Sequence, residues 1–144
     1  MTGGCFCGAV RYRLLSTPYD TGWCHCRICR RISGAPAQVF TTLPRADLVI
    51  EQGVDAIGTI RTTSFGERRF CTRCGTPLTI AVDHQPDEID ITAASLDVPD
   101  VVAPSFHIYY ADRIAWASAG DDLPRHDRLR PDTPGLPPGV TTPD

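Results

Sequence analysis

Apolar and polar residues alternate along this chain in short runs, each broken within a few positions by Gly, Pro or an acidic turn. Val10, Tyr12 and Leu14 alternate with Arg11 and Arg13, the period-two signature of a half-buried strand. After Pro18, Tyr19 to Trp23 reads as a second extended segment. Arg27 to Ile32 fits one or two helical turns, stopped by Ser33-Gly34 and Pro36. Strands are expected at Ala37 to Thr42 and Leu48 to Glu51, with a turn at Pro44-Arg45-Ala46-Asp47 between them. Ile57 to Thr63 and Gly66 to Phe70 flank a turn at Ser64-Phe65-Gly66. Leu78, Ile80 and Val82, then Ile89, Ile91 and Ala93, alternate on either side of His84-Gln85-Pro86-Asp87, a hairpin signal. Asp97 to Pro104 reads as a loop and Phe106 to Tyr110 as the last strand. Strands this short, with no long helical period, predict a mainly β fold of antiparallel strands with little helix.

Composition narrows the picture. At 144 residues, 42% of them hydrophobic, the chain can bury one real core. Residues 1–130 read as a single domain. Residues 131–144 hold five prolines and two glycines and read as an irregular tail. A net charge of −3 argues against a nucleic-acid partner. No apolar run approaches the length of a membrane span, and the N-terminus lacks the charged and apolar regions of a leader. The expected location is the cytoplasm. Trp23 and Phe40 are expected in the core.

The seven cysteines carry the chemistry. They form three groups: Cys5 and Cys7; Cys24, Cys26 and Cys29; Cys71 and Cys74. In a reducing compartment such clusters point to metal ligands rather than disulfides, and soft thiolate donors select zinc. Two all-cysteine tetrahedral sites need eight thiols, so seven divide into a closed site of four and an open site of three. Cys5 and Cys7 with Cys71 and Cys74 make the closed, structural site. Cys24, Cys26 and Cys29 then hold a second ion alone, for two zinc ions per chain. Three readings of that second site stand: an open zinc, a zinc closed by one of His25, His84, His107 or His126, or a metal-free dithiol at Cys26-x-x-Cys29.

These motifs resemble the glutathione-dependent formaldehyde-activating enzyme family, which includes the centromere-protein-V-like proteins. The resemblance is carried by Gly4-Cys5-Phe6-Cys7-Gly8, by Cys24-His25-Cys26-Arg27-Ile28-Cys29-Arg30-Arg31-Ile32-Ser33-Gly34-Ala35 and by Cys71-Thr72-Arg73-Cys74-Gly75-Thr76-Pro77-Leu78. Weaker echoes follow in Leu96-Asp97, Phe106-His107-Ile108 and Trp116. It implies a zinc-stapled β fold of the Mss4-like type. It also implies a structural zinc on Cys5, Cys7, Cys71 and Cys74 and a catalytic zinc on Cys24, Cys26 and Cys29. The activity implied is the joining of glutathione to formaldehyde, with carbon–sulfur bond formation and cleavage.

Zinc on three thiolates has already received much negative charge, so it acidifies water weakly and suits a thiol as its fourth ligand. The carboxylates of a glutathione-like thiol match the forked guanidinium groups of Arg27, Arg30 and Arg31 beside the metal loop. His107, alternating against Phe106 and Ile108, is a candidate general acid/base as well as a candidate structural histidine. The reading is a zinc-dependent carbon–sulfur lyase taking a small thiol and an aldehyde, with homo-oligomers left open. The alternative is a noncatalytic, zinc-stabilised protein-binding module with the same two metal sites. A lyase expects the open metal to face a pocket; a module expects the protein to fill that position.

Overall fold

Val39, Thr41 and Leu43 leave one side of their strand, and Phe40 and Thr42 leave the other. The whole molecule is divided along that line. The computed structural model describes residues 1–137 and 139–140. Ten strands are present among them: β1 (Thr2–Gly4), β2 (Arg11–Leu14), β3 (Tyr19–Cys24), β4 (Gln38–Pro44), β5 (Leu48–Gln52), β6 (Ile57–Thr63), β7 (Gly66–Cys71), β8 (Pro77–Val82), β9 (Glu88–Thr92) and β10 (Phe106–Ile108). They form a three-stranded sheet in the order β1-β2-β5 and a seven-stranded sheet in the order β10-β3-β4-β9-β8-β7-β6. Every pairing is antiparallel except that of β10 with β3, which is parallel. The one α-helix, α1 (Arg27–Ser33), follows β3. The mainly β expectation is therefore met, with the parallel β10 pairing as the departure.

The core lies between the two sheets. Val10, just before β2, and Tyr12 and Leu14 within it meet Leu43 of β4 and Ile89 and Ile91 of β9, joined by Leu78, Leu96 and Val102. Each fully buried aliphatic side chain contributes about 1.5–3 kcal/mol. The opposite face of the large sheet does not enter this core. There Phe40, Thr42, Arg68, Ile80 and Asp90 look into a cavity. Register lines four of them up, since Arg68 pairs with Ile80, Ile80 with Asp90, and Asp90 with Thr42. Phe40, expected in the core, thus lines the cavity instead. Trp23 also lies outside the core cluster. It pairs with His107 across β3 and β10 and stacks on its ring, 6.2 Å between centroids.

Helix α1 is short because both ends are capped. The Sγ of Cys26 accepts the N–H of Cys29, and Gly34 adopts the left-handed conformation (φ 66) while its N–H returns to Arg30. The segment leading into the expected tail is seated on the domain. Arg130 donates two hydrogen bonds to Asp20, at 3.1 and 2.6 Å. Further along, Gly135 (φ 80) packs so closely that a Cβ there would stand 1.7 Å from the His84 carbonyl oxygen. Residues 138 and 141–144 of the expected tail lie outside the described residues. Among the described residues no helix is long and apolar enough to cross a membrane.

Candidate metal centres and cavity

Two turns from distant parts of the chain face each other at the first centre. The turn after β1 carries Cys5 and Cys7, and the end of β7 delivers Cys71 and Cys74. Local backbone bonds hold both turns: Gly8 N–H donates to the Cys5 carbonyl and Gly75 N–H to the Cys71 carbonyl. All four sulfurs lie within 4.8 Å of one another. Cys5 and Cys7 sulfurs are 3.5 Å apart, and those of Cys7 and Cys71 3.8 Å. A tetrahedron with bonds of about 2.3 Å has edges of about 3.8 Å, so these four donors fit a closed zinc site. Thr76 completes the surround: its hydroxyl lies 3.1 Å from Cys74 Sγ and holds that thiol below its ordinary pKa.

Cys24 at the end of β3, Cys26 at the cap of α1 and Cys29 in its first turn form the second group, again within 4.8 Å. No fourth Cys, His, Asp or Glu joins them among the described residues. Hydrogen bonds from the Cys24 and Cys29 thiols, backed by helix N–H groups, hold Cys26 well below its ordinary range. The same contacts, that with Cys26 foremost, push Cys24 up. One sulfur ready to ionise beside two thiol donors is a nest for a thiophilic cation. Arg68, 6% exposed, points Nη2 at Cys29 Sγ across 3.2 Å. Three thiolates with a divalent ion sum to −1, and this buried guanidinium supplies the opposite charge at contact distance. Arg68→Met should therefore weaken metal at this group by about 10–100-fold. Competition against a chromophoric chelator would measure it, with circular dichroism confirming an unchanged fold.

His25 and His107 do not reach these sulfurs. Their rings meet each other instead, His25 Nε2 lying 2.9 Å from His107 Nδ1. His107 Nε2 lies 3.0 Å from an Asp121 oxygen. With that carboxylate accepting, the donors run from His25 to His107 to Asp121, which fixes the metal loop from below. The candidate acid/base His107 thus sits on the far face of β10, because Phe106 and Ile108 take the cavity side. Hydrogen bonding to His107 holds the Asp121 carboxyl below its usual range.

Cys24, Cys26 and Cys29 all line one cavity of about 520 Å³. Phe106 forms a wall by lying flat on β3, where a Cβ on Gly22 would stand 2.2 Å from its ring. Leu129, Arg130, Thr133 and Pro134 continue the lining, with the Arg130 guanidinium over the Phe106 ring, 4.4 Å from its centroid. Two lining residues, Asp20 (φ 50) and Tyr109 (φ 53), hold left-handed backbone that non-glycine residues seldom adopt. Of the three arginines expected to face substrate, only Arg27 lines the cavity. Arg30 turns back to donate Nε to the His25 carbonyl at 3.0 Å, and Arg31 is exposed one turn further from the metal loop. Arg68, Asp90 and the Asp20–Arg130 pair were not singled out in the sequence. Asp90 alone carried a faint signal, as a charged residue between Ile89 and Ile91, whereas Arg68 sits within the charged run Glu67-Arg68-Arg69.

Known proteins resemble this chain in sequence and in fold. A crystal structure of a Rhodobacter sphaeroides protein superposes with a TM-score of 0.60 at 25% identity, covering 72% of this chain and 97% of that one. A Halomonas elongata protein, provisionally named a glutathione-dependent formaldehyde-activating enzyme, is 32% identical over 103 residues, 67% of this chain and 66% of its own. A Schizosaccharomyces pombe protein named an uncharacterized lyase is 30% identical over 91 residues, 63% of this chain and 64% of its own. The chain thus spans just under two thirds of the length of these curated relatives. The family profile described as "Glutathione-dependent formaldehyde-activating enzyme" matches residues 1–112, which hold both cysteine groups. On that match over most of its length, the chain belongs to the glutathione-dependent formaldehyde-activating enzyme family.

Proposed function

We propose that this chain is a zinc-dependent carbon–sulfur lyase that makes and breaks the adduct of a small thiol with an aldehyde, glutathione with formaldehyde or a similar pair. The observation carrying the reading is that the three-cysteine group opens on the cavity with no fourth protein donor among the described residues. Zinc held by Cys24, Cys26 and Cys29 would take the substrate sulfur as a further donor and keep it deprotonated. The chain supplies the rest. Arg68 balances the anionic thiolates, and the aromatic walls limit water. Arg27 at the rim offers a fork to a substrate carboxylate. Zinc on Cys5, Cys7, Cys71 and Cys74 would be structural, far from the chemistry in role though close in chain economy. A protein-binding module would fill the fourth position from its own side chains, and His25, the nearest in sequence, is committed to His107.

The test is direct. Zinc-loaded protein should accelerate exchange between free formaldehyde and its glutathione adduct above the buffer rate, read by ¹³C exchange spectroscopy. A cobalt-substituted sample should gain thiolate charge-transfer absorption as glutathione is added. Buffer-rate exchange together with an unchanged cobalt spectrum at millimolar glutathione would sink the reading.

A further inference from the structure

Of the three carboxylates that line the cavity beside its cysteines, two are paired with arginines. Asp20 is forked by Arg130, and Asp112 accepts from Arg128 Nη1 at 3.0 Å. Arg68 is turned to Cys29, and His84 lies against Phe65, 6.5 Å between ring centroids. Asp90 is the exception. The Thr42 hydroxyl donates to its Oδ1 at 2.7 Å, and no guanidinium or histidine pairs with it among the described residues. Its carboxyl opens on the same cavity as Cys24, Cys26 and Cys29. Strand register puts it there, in the row that runs from Arg68 through Ile80 to Thr42.

A carboxyl in such a place without a counter-ion costs stability, because burial favours its neutral form. Burial pushes Asp90 up to about 6, against the opposing pull of the Thr42 hydrogen bond. Glu88 on its own strand and Asp20 on β3 add to the rise, and Arg68 on β7 counters it. From across the cavity Arg27, Arg130, Asp112 and His84 face the same space. A carboxyl poised to exchange a proton near neutrality, in a cleft and held by one hydroxyl with no basic partner among the described residues, has the form of a general acid/base.

We propose that Asp90 donates the proton to the carbonyl oxygen when sulfur adds to the aldehyde, and takes it back when the adduct breaks; this rests on the thiol–aldehyde reading of the same cavity. In the addition direction the thiolate sulfur attacks the carbonyl carbon. The C–S bond forms, the C=O π bond breaks, and the oxygen takes the Asp90 proton. In reverse, the Asp90 carboxylate removes the hydroxyl proton, the C=O π bond re-forms, and the thiolate leaves with the C–S electron pair. The proton lost when the thiol ionises equals the one Asp90 donates, and solvent carries it between them.

Asp90→Asn keeps the side-chain shape and the oxygen that Thr42 needs while removing the exchangeable proton. In zinc-loaded wild-type protein, breakdown of the glutathione–formaldehyde adduct should rise with pH through about 6. In Asp90→Asn that limb should vanish and the rate fall on the order of 10²–10⁴-fold, with zinc content unchanged. Stability separates this from a structural role. A carboxyl raised by folding contributes most while protonated, and that contribution is lost as pH rises from the ordinary carboxylate range through about 6. The uncharged Asn variant should therefore melt no lower than wild type at neutral pH. Carboxyl ¹³C spectra of the zinc-loaded protein should show one aspartate titrating near 6 that the variant lacks. A variant that keeps the rate and the pH limb overturns the proposal, as does a limb that disappears in His84→Gln instead. Asp90 titrating in the ordinary carboxylate range overturns it while leaving the lyase reading intact. Wild-type protein inactive at every pH sinks that reading, and this proposal with it.

Discussion

Cys71→Ser should leave a chain that does not fold at 25 °C. Cys71 is fully buried, and its sulfur lies 3.8 Å from that of Cys7, a residue 64 positions away. Through it a zinc ion on the four sulfurs would tie the N-terminal turn to the end of β7. A structural zinc in a small domain contributes about 10–16 kcal/mol of apparent binding free energy, which is folding free energy where the site does not pre-exist. That is as large as the whole stability of a typical domain, about 5–15 kcal/mol. A serine oxygen is a poor replacement for a soft thiolate, and it would also sit unpartnered in a buried place. Circular dichroism and a thermal melt of the purified variant decide the matter. A cooperative melt within a few degrees of wild type would show that the four sulfurs do not clamp the fold.

Cys26→Ser should have the opposite profile: a folded protein that has lost its activity. Its three-cysteine group is drawn from one β-strand end and one helix turn, so no distant segments come apart when it fails. Serine still caps α1 as well as cysteine does, since hydroxyl oxygens are favoured N-cap acceptors. The sulfur most ready to ionise is gone, however, and two thiolates hold a divalent ion far more weakly than three. Metal analysis should fall from about two ions per chain to about one. Catalysis of adduct exchange should drop to the buffer rate, with the melting temperature within a few degrees of wild type. A variant that lost both ions, or melted like Cys71→Ser, would reverse the division of roles between the two groups.

The two cysteine groups were legible in the sequence because coordination demands particular atoms at short spacings. Cys5-x-Cys7, Cys71-x-x-Cys74 and the run from Cys24 to Cys29 announce themselves without any knowledge of tertiary structure. The strands were legible for a similar reason, since alternation is a local property of Val10 to Leu14 or Ile89 to Ala93. The cavity was not. Phe40 reads as a core residue by its type, and only the pairing of β4 with β9 shows that its side of the sheet faces away from the core. Arg68 and Asp90 lie 22 residues apart and share a row because two hairpins align them. Proline content marked residues 131–144 as irregular backbone. It said nothing of the residue before them, Arg130, which pairs with Asp20 across 110 positions. His107 was read as facing away from its apolar neighbours, and the alternation was right. Its partner Asp121 lies in a segment with no regular structure to signal it.

The two cysteine groups also differ in when they can exist. A chain growing from its N-terminus brings Cys24, Cys26 and Cys29 together as soon as that short run emerges, because closing so small a loop costs little entropy. Cys5 and Cys7 must wait for Cys71, 64 residues after Cys7, and for the sheet that brings it round. During synthesis the three-cysteine group would therefore be able to hold a metal ion first. The four-cysteine group, proposed to secure the fold, would take one last. In a cell short of zinc, newly made chains would accumulate with a loaded centre inside an unclamped domain, exposed to proteases until the second ion arrives.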